Sequence, residues 1–149
     1  AAVMLGRARG AAHRRGMRKV TKCYTAAGEP QVPDANGLFT LANGIIYYFE
    51  LAEVADRSGL SVQLTYGSTL TATVTSEGSN KDGARATSYG TSGWAPTAQA
   101  SRSLAASAGS AIDHHADWMG ARMRYKVVVG ATGGGTLGLD EHGKVRSLR

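Results

Sequence analysis

The segment Asp113–Asp117, with the letters DHHAD, is the densest group of metal-ligand side chains in the sequence. Carboxylates and imidazoles are the ligands that zinc and other transition metals take in proteins. Adjacent residues of a strand point to opposite faces, so His114 and His115 cannot easily reach one ion. The sequence also lacks an HExxH motif and a cysteine pair. We therefore predict a polar loop here and no metal site.

A second stretch that could carry chemistry is the glycine-rich segment Gly130–Gly138, GATGGGTLG. It lacks the Lys-Ser/Thr ending of a phosphate-binding P-loop and does not match GxGxxG. No convincing helix follows it, so no helix N-terminus is available to receive a phosphate. The segment predicts a tight hairpin turn.

The side chains that catalysis needs do not come together in the sequence. No serine lies in GxSxG, and Cys23 is the only cysteine, which also excludes an intramolecular disulfide. Glu50 and Glu53 are three residues apart, so on a strand they would face opposite sides. We assign no catalytic residue and no cofactor, and we predict a protein that is not an enzyme.

Positive charge is concentrated at the N-terminus. Residues 1–28 contain seven basic and no acidic residues, whereas the rest of the chain carries ten basic and all eleven acidic residues. Such asymmetry is typical of a tail that meets an acidic surface, either nucleic acid or protein. No apolar run is long enough to cross a membrane, so no membrane partner is expected. The predicted partner-binding residues of this arm are Arg7, Arg9, Arg14, Arg15, Arg18, Lys19 and Lys22.

Period-two patterns after residue 38 predict an all-β protein. Leu60–Tyr66 (LSVQLTY) and Thr69–Ser76 (TLTATVTS) alternate apolar and polar residues, as half-buried antiparallel strands do. Asn43-Gly44 and Gly67-Ser68 have the composition of hairpin turns. We predict an antiparallel β-sandwich, similar to a jelly roll, over residues 38–149, an extended basic arm over 1–28 and a linker over 29–37.

The region between residues 76 and 112 has weaker patterns. Ser76–Ser92 is polar and glycine-rich and predicts a long loop, while residues 101–112 could be a poor helix, a strand or a loop. The Gly/Ala/Ser-rich stretch Gly78–Ser110 is long for a compact domain, so it could be an exposed loop or a further interaction surface.

Two groups of side chains on predicted strands raise the question of binding. In IIYYFE, Tyr47 and Phe49 share a face that we assign to the core, and Tyr48 takes the other. Arg122, Arg124 and Lys126 form a row of positive charge on one strand face, which repels itself unless something acidic lies opposite. The common explanation of such a row is a solvated strand at the edge of a sheet. The more specific alternative is that the row contacts another subunit.

The arm GRARGAAHRRGMRKVTK, the strands LSVQLTYGSTLTATVTS and the closing RMRYKVVVGATGGGTLGLDEHGK resemble, in style, the accessory virion proteins of tailed phages, particularly head-decoration proteins. This resemblance implies a structural subunit of a virus particle, made in the host cytoplasm. It implies a homo-oligomer that decorates or cements a capsid, with an arm that docks on neighbouring virion subunits.

Two alternatives stay open at this point. The arm could bind the phosphates of a nucleic acid, in a salt-dependent and sequence-independent way. The domain could instead be a carbohydrate-binding tail or host-recognition module that uses Tyr48, Tyr89 or Trp94 as an exposed aromatic platform.

Overall fold

The computed structural model describes residues 17–51, 54–80, 93–115 and 121–145, which form β-strands and one short 3-10 helix, Val54–Asp56. No helix in these ranges is long and apolar enough to span a membrane. The strands in chain order are β1 Met17–Lys19, β2 Lys22–Thr25, β3 Phe39–Leu41, β4 Ile46–Leu51, β5 Arg57–Tyr66, β6 Ala72–Ser79, β7 Ala95–Pro96, β8 Arg102–Leu104, β9 Gly109–His115, β10 Arg122–Val129 and β11 Gly135–Val145.

The strands form two antiparallel sheets, which confirms the predicted β-sandwich. Sheet 1 has the order β1-β11-β5-β9, and β3 also pairs with β11. Sheet 2 has the order β2-β4-β10-β6-β7, and β8 also pairs with β6. The longest pairing, between β5 and β11, runs from Leu137↔Tyr66 to Val145↔Arg57 with one register shift.

The core lies between the inner faces of the two sheets. The alternation seen in the sequence places Leu60, Val62 and Leu64 of β5 in the core, and Leu137 and Leu139 of β11 beside them. Tyr47 and Phe49 are in the core as predicted, and the ring of Phe49 packs edge-on against Phe39 at 5.3 Å between centroids. Burial of these side chains removes apolar surface from water, which is the main force that joins the sheets.

The structure extends the domain further toward the N-terminus than the predicted arm allowed. Met17–Lys19 pairs with β11 and Lys22–Thr25 pairs with β4, so both segments are strands of the sandwich. Val20 and Cys23 are buried in the core cluster. These two segments were assigned to the arm because the inward-facing Val20 and Cys23 are surrounded in the sequence by basic residues. Residues 1–16 of the predicted arm lie outside the described residues.

The predicted hairpins are wrong, because the turns carry the chain from one sheet to the other. β3 and β4 flank Asn43-Gly44 but belong to different sheets, and the same holds for β5 and β6 and for β10 and β11. The three turns contact one another at one end of the sandwich. The Gly44 N–H donates to the Gly130 carbonyl at 2.9 Å, and the Thr71 N–H donates to the Gly133 carbonyl at 2.9 Å.

Glycine at position 133 is required by this turn packing. A Cβ atom at Gly133 would collide with the carbonyl oxygen of Thr71, and one at Gly135 would lie 2.7 Å from the backbone nitrogen of Leu70. The glycine-rich segment is therefore a close-packed connection between sheets and not a phosphate loop.

The remaining predictions concern residues 76–115. Residues 101–112 contain β8 and the start of β9 in place of a helix, and β6 continues to Ser79 into the predicted loop. Asp113 and His115 are buried at the end of β9, so the predicted polar loop is wrong for them, whereas His114 is exposed on the opposite face as the alternation requires.

Candidate functional site

The row of positive charge on β10 lies in the middle of sheet 2. β10 pairs with β4 on one side and with β6 on the other, so the predicted edge strand is wrong. The acidic residues that the row requires are its cross-strand neighbours, because Arg124 is in register with Glu50 and with Glu77. We call the outer side of sheet 2 the charged face; its residues are Lys22, Tyr24, Tyr48, Glu50, Thr75, Glu77, Arg122, Arg124 and Lys126.

The centre of the charged face is a buried ion pair. The Nε of Arg124 donates to Oε1 of Glu77 at 2.8 Å, and Arg124 is only 1% exposed. A guanidinium ion is costly to remove from water, so it needs a partner of this kind. A second, more exposed pair joins Nζ of Lys22 to Oε1 of Glu50 at 3.9 Å.

Two aromatic rings contact the Arg124 guanidinium. Its Cζ atom lies 4.1 Å from the centroid of the Tyr48 ring and 4.4 Å from that of the Trp94 ring. These are cation–π distances, which favour a desolvated guanidinium. Tyr48 and Trp94 are 5% and 7% exposed, so the prediction of an exposed platform made of these rings is wrong. Tyr89, the third predicted platform residue, lies outside the described residues.

The indole N–H of Trp94 is a buried donor without an acceptor in the part of the chain that the structure describes. A buried N–H group in this position costs free energy unless something hydrogen-bonds to it. Trp94 comes directly before β7, the short strand that pairs with β6. The donor therefore lies at the border of the charged face.

A second row crosses the charged face beside the ion pairs. Tyr24, Tyr48, Lys126 and Thr75 are aligned across β2, β4, β10 and β6. Tyr24, Lys126 and Thr75 are partly exposed, so their polar groups can reach a bound molecule. Neighbouring strands are about 4.8 Å apart, so a row of four spans about 14 Å.

The position of Glu50 on the charged face changes the pKa of its carboxyl group. Burial raises the pKa of its carboxyl group, and the nearby charge of Lys22 opposes that shift. The Lys22–Glu50 pair therefore holds a partly desolvated carboxylate near the β2 border of the face.

A separate polar network lies between the sheets. Arg102 donates from Nη2 to Oδ1 of Asp113 at 2.6 Å, and the Tyr125 hydroxyl donates to Oδ2 of Asp113 at 3.1 Å. Nε2 of His115 lies 3.0 Å from the same hydroxyl oxygen, whose proton is used for Asp113. We therefore assign His115 the tautomer with a proton on Nε2.

This network connects the sheets and offers little access for a reactant. Asp113 and His115 come from β9 of sheet 1, whereas Tyr125 comes from β10 and Arg102 from β8 of sheet 2. Burial lowers the pKa of His115, with a rise from Asp113 and a further fall from His114 as smaller effects. Burial, with help from Asp113, raises the pKa of Tyr125 far above its ordinary value. Among the described residues no group of three metal-ligand side chains is positioned for a metal ion.

The outer side of sheet 1 carries a shallow groove of about 360 Å³. Lys19 and Asp140 lie at its border and form an ion pair at 3.4 Å between Nζ and Oδ1. Ser61, Gln63, Ile112 and His142 supply part of its lining. Its lining residues include no Phe, Tyr or Trp ring, in contrast to the charged face, which contains Tyr24 and Tyr48.

The predicted arm residues fall into two groups in the structure. Arg18, Lys19 and Lys22 lie on β1 and β2, where Lys19 and Lys22 contact Asp140 and Glu50 of the same chain. The other four predicted arm residues, Arg7, Arg9, Arg14 and Arg15, lie outside the described residues. Contacts of the arm with other subunits or with nucleic acid stay a prediction.

One residue of the charged face, Glu77, and one contact, between Trp94 and Arg124, were missed in the sequence. Glu77 continues the period-two pattern of Thr73 and Thr75. The predicted strand ended at Ser76, one residue too early to include the carboxylate that pairs with Arg124. Trp94 had no local signal for its contact with Arg124, because the two residues meet only through the pairing of β6 with both β7 and β10.

No protein-family model matches the sequence, and no curated protein is significantly similar to it. The fold is similar to a solved xylan-binding module, CBM15, with a TM-score of 0.50 and 13% identity over 88% of this chain and 98% of that chain. The N-terminal cellulose-binding domain of Cellulomonas fimi β-1,4-glucanase C covers 89% of this chain and 91% of its own, with a TM-score of 0.48 and 13% identity. A family two carbohydrate esterase from Cellvibrio japonicus matches over 33% of its own length and 92% of this chain, with a TM-score of 0.42 and 14% identity. Likeness to the xylan-binding module at 13% identity concerns the β-sandwich fold alone.

Proposed function

We propose that the chain is a non-catalytic carbohydrate-binding module and that the charged face holds the glycan. The observation that carries this proposal is the row of partly exposed polar side chains, Tyr24, Lys126 and Thr75, that crosses the outer side of sheet 2 beside the buried Arg124–Glu77 pair. Tyr48 and Trp94 are too deeply buried to pack against a sugar, and both rings contact the Arg124 guanidinium instead.

The charged face also has the rigidity that carbohydrate recognition needs. Its polar groups stand on β4, β10 and β6, which are paired on both sides, so their positions are set before a ligand arrives. Partly exposed hydroxyl and ammonium groups of Tyr24, Thr75 and Lys126 lie in one row across this face. Such a row offers hydrogen bonds to the hydroxyl edge of a sugar chain.

Fold likeness supports the proposal by analogy alone. The match covers 98% of the xylan-binding module and 88% of this chain, so the likeness extends over that whole module. An enzymatic role has less support, since the one described network that contains a histidine and an aspartate lies between the sheets.

Depletion from solution by insoluble polysaccharides tests the proposal. The protein is mixed with xylan, cellulose and mannan, and the fraction left in the supernatant is measured. We expect retention on at least one of them and a several-fold loss of affinity in Tyr24→Phe, which keeps the ring but removes the hydroxyl group. Gln63→Ala, on the outer side of sheet 1, is the control and should bind as the unchanged protein does. Absence of binding to every neutral and acidic polysaccharide would overturn the proposal.

The virion subunit predicted from the sequence remains a separate hypothesis, together with its homo-oligomeric partners and its location in a virus particle. A β-sandwich fold is compatible with it, but the arm residues on which it depends most, Arg7 to Arg15, lie outside the described residues.

A further inference from the structure

The basic side chains of the charged face outnumber the acidic ones. The described residues place four basic side chains and two acidic side chains on it, Glu50 and Glu77. Glu77 is used by the buried Arg124, and Glu50 pairs with Lys22. The described residues of the face therefore carry a net positive charge, to which the partly exposed Lys126 contributes.

Lys126 is the best placed of these charges to meet a ligand. Its cross-strand neighbours are Tyr48 and Thr75, which carry no charge, and its side chain is partly exposed. The two acids in the adjacent row already have basic partners at 2.8 and 3.9 Å. An ammonium group in this position gains most from an anion supplied by the bound molecule.

Arg122 adds a second positive charge on the same side of β10. Residues four apart on a strand are separated by about 13 Å, so Arg122 and Lys126 bracket the buried Arg124 over that distance. A ligand that brings its own negative charge gains from the positive potential on this side of β10. Resting on the proposed function, we infer that the charged face selects an anionic glycan, one with carboxylate or sulfate groups, over its neutral counterpart, and that Lys126 contacts the anion.

Calorimetric titration of the intact protein with matched ligands tests this inference. The ligands are neutral xylan, glucuronoxylan and polygalacturonate as carboxylated glycans, and a sulfated galactan. We expect the best carboxylated or sulfated glycan to bind about tenfold more tightly than neutral xylan at low salt, with the advantage falling as salt is added. Whichever class binds better identifies the source of the negative charge.

The variant Lys126→Gln is expected to lose that advantage, and its affinity for the anionic glycan should fall several-fold more than its affinity for neutral xylan. Lys19→Gln, at the groove of sheet 1, serves as a matched charge control, and equal melting temperatures show that both variants are folded. Equal binding of neutral and anionic glycans, unaffected by Lys126→Gln, would overturn the inference and leave the proposed function standing.

Two further outcomes also contradict the inference. Failure to bind any glycan would overturn the proposed function itself. Tighter Lys126-dependent binding to duplex DNA than to every glycan would identify the anion as nucleic-acid phosphate, and a steep salt dependence would accompany it.

Discussion

Arg124 and Glu77 face each other across β10 and β6, and their side chains form an ion pair of 2.8 Å that is almost completely removed from solvent. The pair stands at the centre of the charged face, where Tyr48 and Trp94 contact the guanidinium. A buried pair of this kind is sensitive to the loss of one partner, because the other charge is left behind in the protein.

Arg124→Met is therefore expected to destabilise the protein by about 3–5 kcal/mol, since Glu77 would keep its charge without a partner. The double variant Arg124→Met/Glu77→Leu removes both charges and should recover most of that loss. Urea denaturation followed by tryptophan fluorescence measures both free energies of unfolding. Equal destabilisation of the single and double variants would show that packing against the rings matters more than charge.

Acid should weaken the contact between the sheets through His115. Burial lowers the pKa of this imidazole, so the unfolded state takes up its proton first, near the ordinary pKa of about 6.5. The free energy of unfolding should thus decrease as pH falls from about 6.5 toward the lowered pKa of the folded state, by at most about 1.4 kcal/mol per pH unit for one proton.

Comparison of two histidine variants isolates this effect. His115→Gln should flatten the decline of stability below pH 6.5, whereas His114→Gln, at the exposed neighbouring position, should leave it nearly unchanged. Chemical denaturation at pH 5, 6, 7 and 8 gives the slopes. If the decline is identical in all three proteins, His115 is not the group that takes up the proton.

Cys23 should be unreactive in the folded protein. Burial in the core raises the pKa of its thiol, so almost no thiolate is present at neutral pH, and the sulfur is also shielded from reagents. Because it is the only cysteine, the rate of labelling by iodoacetamide reports this site alone. We expect labelling to be slow in buffer and fast in denaturant. Rapid labelling of the native protein would mean that β2 detaches from β4 readily.

The fold class could be predicted because alternation is a local property of the sequence. LSVQLTY and TLTATVTS showed which residues face the core, and Leu60, Val62 and Leu64 are buried accordingly. Sheet membership could not be predicted in this way. Asn43-Gly44 has the composition of a hairpin turn, yet it connects two sheets, because contacts with Gly130 from a distant part of the chain fix its geometry.

The candidate site was harder to predict because its members meet only across strands. Arg122, Arg124 and Lys126 were evident as a charged row that needed acidic neighbours, but register alone shows that Glu50 and Glu77 provide them. The burial of Tyr48 and Trp94 likewise depends on Arg124, which no local pattern relates to Trp94. Residue types thus indicated that the face is charged. Which residues contact one another on it is determined by the pairing of β4, β10 and β6, which the sequence pattern does not show.

The central claim is that a glycan binds on the charged face, and two-dimensional ¹H–¹⁵N NMR titration with a soluble oligosaccharide tests it most directly. We expect the backbone amide signals of Tyr24, Thr75 and Lys126 to shift. Signals of Ser61, Gln63 and His142 on sheet 1 should stay in place. Shifts confined to the sheet 1 groove, or no shift with any neutral or anionic oligosaccharide, would contradict it.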